Sequence, residues 1–217
     1  MRLNEKDTIL FIGDSITDVG RNRKDLKDLG KGYPLLIAAH LLECYPELEL
    51  TFLNRGVSGD KVTDLASRWK EDCLELQPDI ISILVGINDV WYNIDKEKLS
   101  IQESIDKFEL FYRLVLEKAK QETKARIVLV EPFVVKDSSE QESFELELNP
   151  RIQVIRKLAK EYQADYIELA EKFKDFGMKW GNGSVTEDGV HPTLAGHALI
   201  AKSWLEKIEN DKGNKKN

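Results

Sequence analysis

The run Ile80-Ile-Ser-Ile-Leu-Val85 constrains the fold more than any other segment. It is almost continuously apolar, short, and bounded by Pro78 and Gly86. Such a run suits a central strand of a parallel sheet, where helices cover both faces. Further short apolar runs at 8–12, 50–53, 126–130 and 164–167 alternate with stretches of helical period. The predicted helices are 35–44 (after Pro34), 60–76, 99–123, 149–162, 169–176 and 193–208. Val62, Leu65, Trp69 and Cys73 form one apolar face, and Ile101, Ile105, Phe108, Tyr112, Val115 and Ala119 another. Alternation of this kind, without repeats or a linker, predicts one three-layer α/β domain over residues 1–210 with right-handed crossovers. Residues 211–217 have nothing to bury and are expected to form a disordered tail. A loop rich in Ser and Glu is predicted from Lys136, and the 136–147 segment is a candidate lid or simply a surface loop.

With 217 residues, 41% hydrophobic and 33% charged, the chain has the composition of a soluble globular protein. Its net charge of -7 argues against a nucleic-acid partner. No stretch approaches transmembrane length and the first residues lack a signal-peptide apolar region, so no membrane partner and a cytoplasmic location are expected. Cys44 and Cys73 lack metal-ligand spacing and are read as small core residues in a reducing compartment. Oligomeric state stays open, because an apolar helix face can bury against its own sheet or a second copy.

The candidate chemistry lies at the predicted C-terminal strand ends, where open α/β sheets bind ligands. Ser15 follows the first strand, and position makes it a candidate nucleophile; alternatively Ser15 and Asp18 form a helix capping box. A serine hydroxyl needs an adjacent base. His40 lies in an apolar helical segment and His197 one turn into the last helix, whereas His191 sits in a loop with Asp188 three residues upstream. That spacing lets the carboxylate fix one ring nitrogen and leave the other for Ser15. Ester hydrolysis also needs oxyanion donors, for which the N–H groups of Ser15 and Gly56 and the amide of Asn88 are candidates. Gly56 alternatively permits a tight turn, and Asn88 alternatively caps one. Asp14 and Asp89 are read as supporting braces. Trp91, Tyr92 and Trp180 are pocket candidates against ordinary packing, and Arg21 and Arg23 either contact substrate or fasten their loop. The favoured reading needs no metal and no cofactor; a competing one makes Asp14, Asp18, Asp89 and His191 ligands of a divalent ion. The G-x-S-x-G elbow of the α/β-hydrolases is absent.

G13-D-S-I-T, the glycine of N54-R-G, G86-I-N-D and D188-G-V-H-P resemble, in chain order, the four blocks of the SGNH (GDSL) hydrolases, spanning residues 13 to 192. The resemblance implies a three-layer αβα sandwich around a five-stranded parallel sheet in flavodoxin-like order 2-1-3-4-5. It also implies Ser15 as nucleophile, Asp188 and His191 completing the triad, and Ser15, Gly56 and Asn88 forming the oxyanion hole. The longer strings G-D-S-I-T-D-V-G-R, L-G-K-G-Y, R-W-K-E-D and G-I-N-D-V-W resemble bacterial intracellular esterases that deacetylate xylo-oligosaccharides. An acetylated oligosaccharide is then the expected partner. A lipase, lysophospholipase or thioesterase would use the same triad, while a non-enzymatic carbohydrate-binding protein would need none.

Overall fold

Five short segments form the strands β1 (Thr8–Gly13), β2 (Thr51–Gly56), β3 (Ile80–Leu84), β4 (Arg126–Val130) and β5 (Asp165–Ile167), with β-branched residues most frequent in β1, β3 and β4. The computed structural model describes residues 3–91, 100–135 and 139–209. All pairings are parallel and the order is β2-β1-β3-β4-β5, as the family resemblance implies. Gly13 stands in register with both Gly56 and Leu84, so three strands finish level and their loops leave from one edge.

The helices are α1 (Ser15–Asp18), α2 (Tyr33–Cys44), α3 (Val62–Ser67), α4 (Trp69–Asp72), α5 (Asn88–Trp91), α6 (Ile101–Glu122), α7 (Ser139–Glu161), α8 (Ala170–Trp180) and α9 (Leu194–Glu209). Strand side chains alternate between two cores. Ile9 and Phe11 join Ile37, Leu41, Phe173, Ile200 and Trp204 on the α2, α8 and α9 side. Leu10 and Ile12 join Val62, Leu65, Trp69, Tyr112, Val115 and Leu158 on the other. Ser82, the one polar residue of β3, is buried, and its hydroxyl accepts the Trp204 indole N–H at 3.2 Å. A polar side chain in a central strand is thereby satisfied.

Four local expectations are corrected. The single helix expected over 60–76 breaks at Arg68 into α3 and α4, with Arg68 at φ -106 and ψ 7. The guanidinium there binds carbonyls at the sheet edge instead of lying along a helix surface. The loop expected up to Phe144 is helical from Ser139, because Phe144, Leu148 and Ile152 recur every four residues on a buried face. Pro150 lies inside that helix. Of the 136–147 lid candidate, residues 136–138 lie outside the described residues, as do Tyr92 and the 211–217 tail. Helix α8 runs on through Gly177, where a Cβ would meet Asn182 Oδ1 at 2.4 Å, and stops at Gly181 with φ 88. Cys44 is exposed, not a core residue, while Cys73 is buried as expected. Among the described residues no helix is long and apolar enough to cross a membrane.

Candidate active site

Gly13 ends β1 against the β3 backbone so closely that a Cβ would fall 2.0 Å from the Leu84 carbonyl oxygen. The chain then turns into α1, whose N-cap is Asp14, not Ser15: the Asp14 carboxylate accepts the Ile16 N–H at 3.0 Å. Ser15 is thus held at the first helical position by a buried cap. Burial pushes the Asp14 carboxyl up to about 7, opposed by the bond from Ile16 and the nearby His191.

The Ser15 hydroxyl lies 3.0 Å from His191 Nε2, and His191 Nδ1 lies 2.6 Å from Asp188 Oδ2. The other Asp188 oxygen accepts the N–H groups of Val190 and His191 at 3.1 and 2.8 Å. Burial acts to raise the Asp188 carboxyl, but these bonds and His191 hold it below the usual range. An ionised Asp188 keeps the proton on Nδ1 and aims the Nε2 lone pair at Ser15. The loop is itself pinned, by Val135 N–H to the Gly189 carbonyl and Glu187 N–H to the His191 carbonyl, both 2.8 Å. Asp188 and His191 remain about half exposed, at 46% and 48% of their side chains.

The other histidines do different work. His40 Nε2 pairs with Glu209 at 3.1 Å, joining α2 to α9. His197 is buried, accepts the Tyr33 N–H at 3.3 Å, and is pushed down to about 4 by burial and by His191.

Of the candidate oxyanion donors, the Ser15 N–H meets no acceptor among the described residues. Asn88 gives one amide hydrogen to the Asp60 carbonyl at 3.0 Å, which fixes the side chain and leaves its second hydrogen. The Gly56 N–H, by contrast, is committed to Asn54 Oδ1 at 2.8 Å. A Cβ on Gly56 would also fall 2.4 Å from the Asp18 nitrogen, so this glycine serves close packing of α1 on β2. Gly59, at φ 88 in the following turn, has an N–H with no acceptor among the described residues and adjoins Asp60, which holds Asn88. Asn54, buried and bonded to the Thr17 and Leu29 carbonyls as well as to Gly56, helps tie this turn to the serine loop.

The supporting residues are committed internally. Asp89 is buried, accepts the Val62 N–H at 3.1 Å, and is pushed up to about 7 by burial. Arg21 is buried against the Gly56 carbonyl at 2.7 Å and lies 3.6 Å from Asp18, fastening the loop. Arg23 and Ser58 bind Asp18. Trp91 is exposed and stacks on Phe144 at 5.0 Å; Trp180 is exposed under the Lys179 ammonium. Among the described residues no group of three or more His, Cys, Asp or Glu converges to hold a metal, and Asp14, Asp18 and Asp89 are engaged as above.

Residues 11–199 match the GDSL-like lipase/acylhydrolase family. The chain belongs to that family. It is therefore a carboxylic ester hydrolase of the SGNH/GDSL type. It is 33% identical over 216 residues to an acetylxylan esterase of Geobacillus stearothermophilus, covering 96% of both chains. The crystal structure of Axe2, an acetylxylan esterase from that organism, superposes with a TM-score of 0.85 at 32% identity, again over 96% of both chains. A protein of Parabacteroides merdae described as a GDSL-like lipase gives a TM-score of 0.89 at 34% identity, over 96% of this chain and 98% of the other.

Proposed function

We propose that this family member removes acetyl groups from xylo-oligosaccharides, with Ser15, His191 and Asp188 as its catalytic triad. The observation that carries the reading is the continuous chain from the Ser15 hydroxyl through His191 to Asp188, at 3.0 and 2.6 Å. In this reading Ser15 Oγ attacks the acetyl carbonyl while His191 Nε2 takes the hydroxyl proton. The carbon–oxygen bond to the sugar breaks, and His191 returns the proton to the departing sugar oxygen, leaving acetyl-Ser15. Water, deprotonated by His191, then releases acetate and restores the serine. The N–H groups of Ser15 and Gly59 and the free amide hydrogen of Asn88 stabilise the oxyanion, Gly59 replacing Gly56 in that role.

A small acyl group on a bulky alcohol fits the half-exposed triad. The cavity of about 220 Å³ between α7 and α8, lined by Val134, Leu148, Ile152 and Met178 together with polar residues such as Glu171 and Lys174, is lined by neither Ser15 nor His191. It is not a channel for a long acyl chain at the nucleophile. The similar acetylxylan esterases favour the same choice. Trp91 and Trp180 supply exposed aromatic faces for sugar rings, and a cytoplasmic enzyme would act on oligosaccharides after their uptake. Rates on acetyl and octanoyl esters of one alcohol, measured beside acetate release from acetylated xylo-oligosaccharides, test the proposal. Acetyl preference with acetate release is expected; octanoyl preference would move the enzyme to the lipase or thioesterase reading.

A further inference from the structure

We infer that Arg68 is a positioning residue for the oxyanion hole, acting on all three of its donors without touching the substrate. The inference rests on the oxyanion assignment above. Arg68 sits at the break between α3 and α4, its side chain 17% exposed, and its guanidinium points to the level strand ends. Nη2 donates to the Gly13 carbonyl at 3.1 Å, two residues before Ser15. Nη1 donates to the Arg55 carbonyl at 2.8 Å, at the end of β2 from which the Gly59 turn departs. Nε donates to Asp60 Oδ2 at 2.7 Å, and the main-chain carbonyl of Asp60 is the group that fixes Asn88. One rigid, planar fork therefore joins the ends of β1 and β2 to the turn that carries Gly59 and holds Asn88.

Charge and geometry both fit positioning. Asp60 and Asp72, the latter accepting from Nη1 at 2.9 Å, balance the guanidinium charge, so no net cation faces the site. The carbonyl of Gly13 also accepts the Val57 N–H at 2.9 Å, the last bond between β1 and β2, and Arg68 adds a second donor to that oxygen where the two strands end. A lysine cannot replace it, because a single ammonium lacks the fork that reaches two carbonyls and a carboxylate together. Oxyanion donors act through preorganisation, and displacement on the order of 1 Å costs about 100-fold in rate.

Arg68→Met and Arg68→Lys test this, with kcat on a small acetyl ester read per site titrated by a serine-reactive phosphonate. A partly folded preparation then still reports. Both variants are expected to lose about 10- to 100-fold in kcat with KM within about twofold. Asn88→Ala is expected to cost about 100-fold in the wild type and clearly less in the Arg68→Met background, because the second change acts on a donor already displaced. Wild-type kcat per titrated site with only a lowered melting temperature would overturn the inference, as would strictly additive losses. If the phosphonate failed to label Ser15 in the wild type, the proposed function would fall and this inference with it. Labelled wild type with unchanged Arg68 variants would overturn the role of Arg68 alone.

Discussion

At the scale of single residues, the site depends on which hydrogen-bonding groups the fold commits elsewhere. Gly56 illustrates this: its N–H is bound to Asn54, and a side chain there would meet the α1 backbone at Asp18 and Thr17, 2.4 and 2.7 Å away. Gly56→Ala is expected to displace α1 and Ser15, lowering kcat/KM by at least about tenfold, measured per phosphonate-titrated site. Unchanged activity would show that α1 absorbs the methyl group without moving its serine. The convergence of Ser15, Asp188 and His191 was legible in the sequence because Asp188 stands three residues before His191 in a loop, whereas His40 and His197 lie inside helices. The proposed exchange of Gly56 for Gly59 as oxyanion donor was not, since it depends on Asn54 Oδ1 accepting the Gly56 N–H rather than on residue type. Arg68 was hidden for a similar reason. In the string R-W-K-E-D it reads as one more charge on a helix surface, and only the break at that position turns it to the sheet edge.

Among the elements, α3 is anchored by a buried carboxyl. Its first N–H, from Val62, is bound by the buried Asp89 carboxyl at 3.1 and 3.3 Å. Burial pushes that carboxyl from 3.8 up to about 7. The folded state therefore binds the proton more tightly than the unfolded state. The resulting stabilisation is complete below the unfolded value and is lost as pH rises through the folded one. The unfolding free energy in urea is expected to fall from about pH 4 to about pH 7, and Asp89→Asn, which keeps an oxygen for Val62, is expected to make that fall shallower. An equally steep fall in the variant would contradict the burial of a protonated Asp89. Strand positions were readable from continuous apolar runs. The start of α7 was not, because Ser and Glu suggest a loop while the spacing of Phe144, Leu148 and Ile152 suggests a helix, and packing into the core decides between them.

For the whole molecule, the three layers exist to bring β1, β2 and β3 to one level edge. Two cores on opposite sheet faces hold that edge, and the pinned Asp188 loop before α9 delivers His191 to it. The alternation of strand and helix already carried this architecture, since parallel strands require helical crossovers. The half-exposed Asp188 and His191 fit the proposed substrate, a large alcohol carrying a small acyl group. The most direct test is intact mass after brief exposure to a serine-reactive phosphonate, with peptide mapping and Ser15→Ala as the control. One adduct on Ser15 is expected in the wild type, with no adduct in Ser15→Ala and a loss of ester hydrolysis of at least about 10⁴-fold. An adduct elsewhere, or hydrolysis that survives in Ser15→Ala, would contradict Ser15 as the nucleophile.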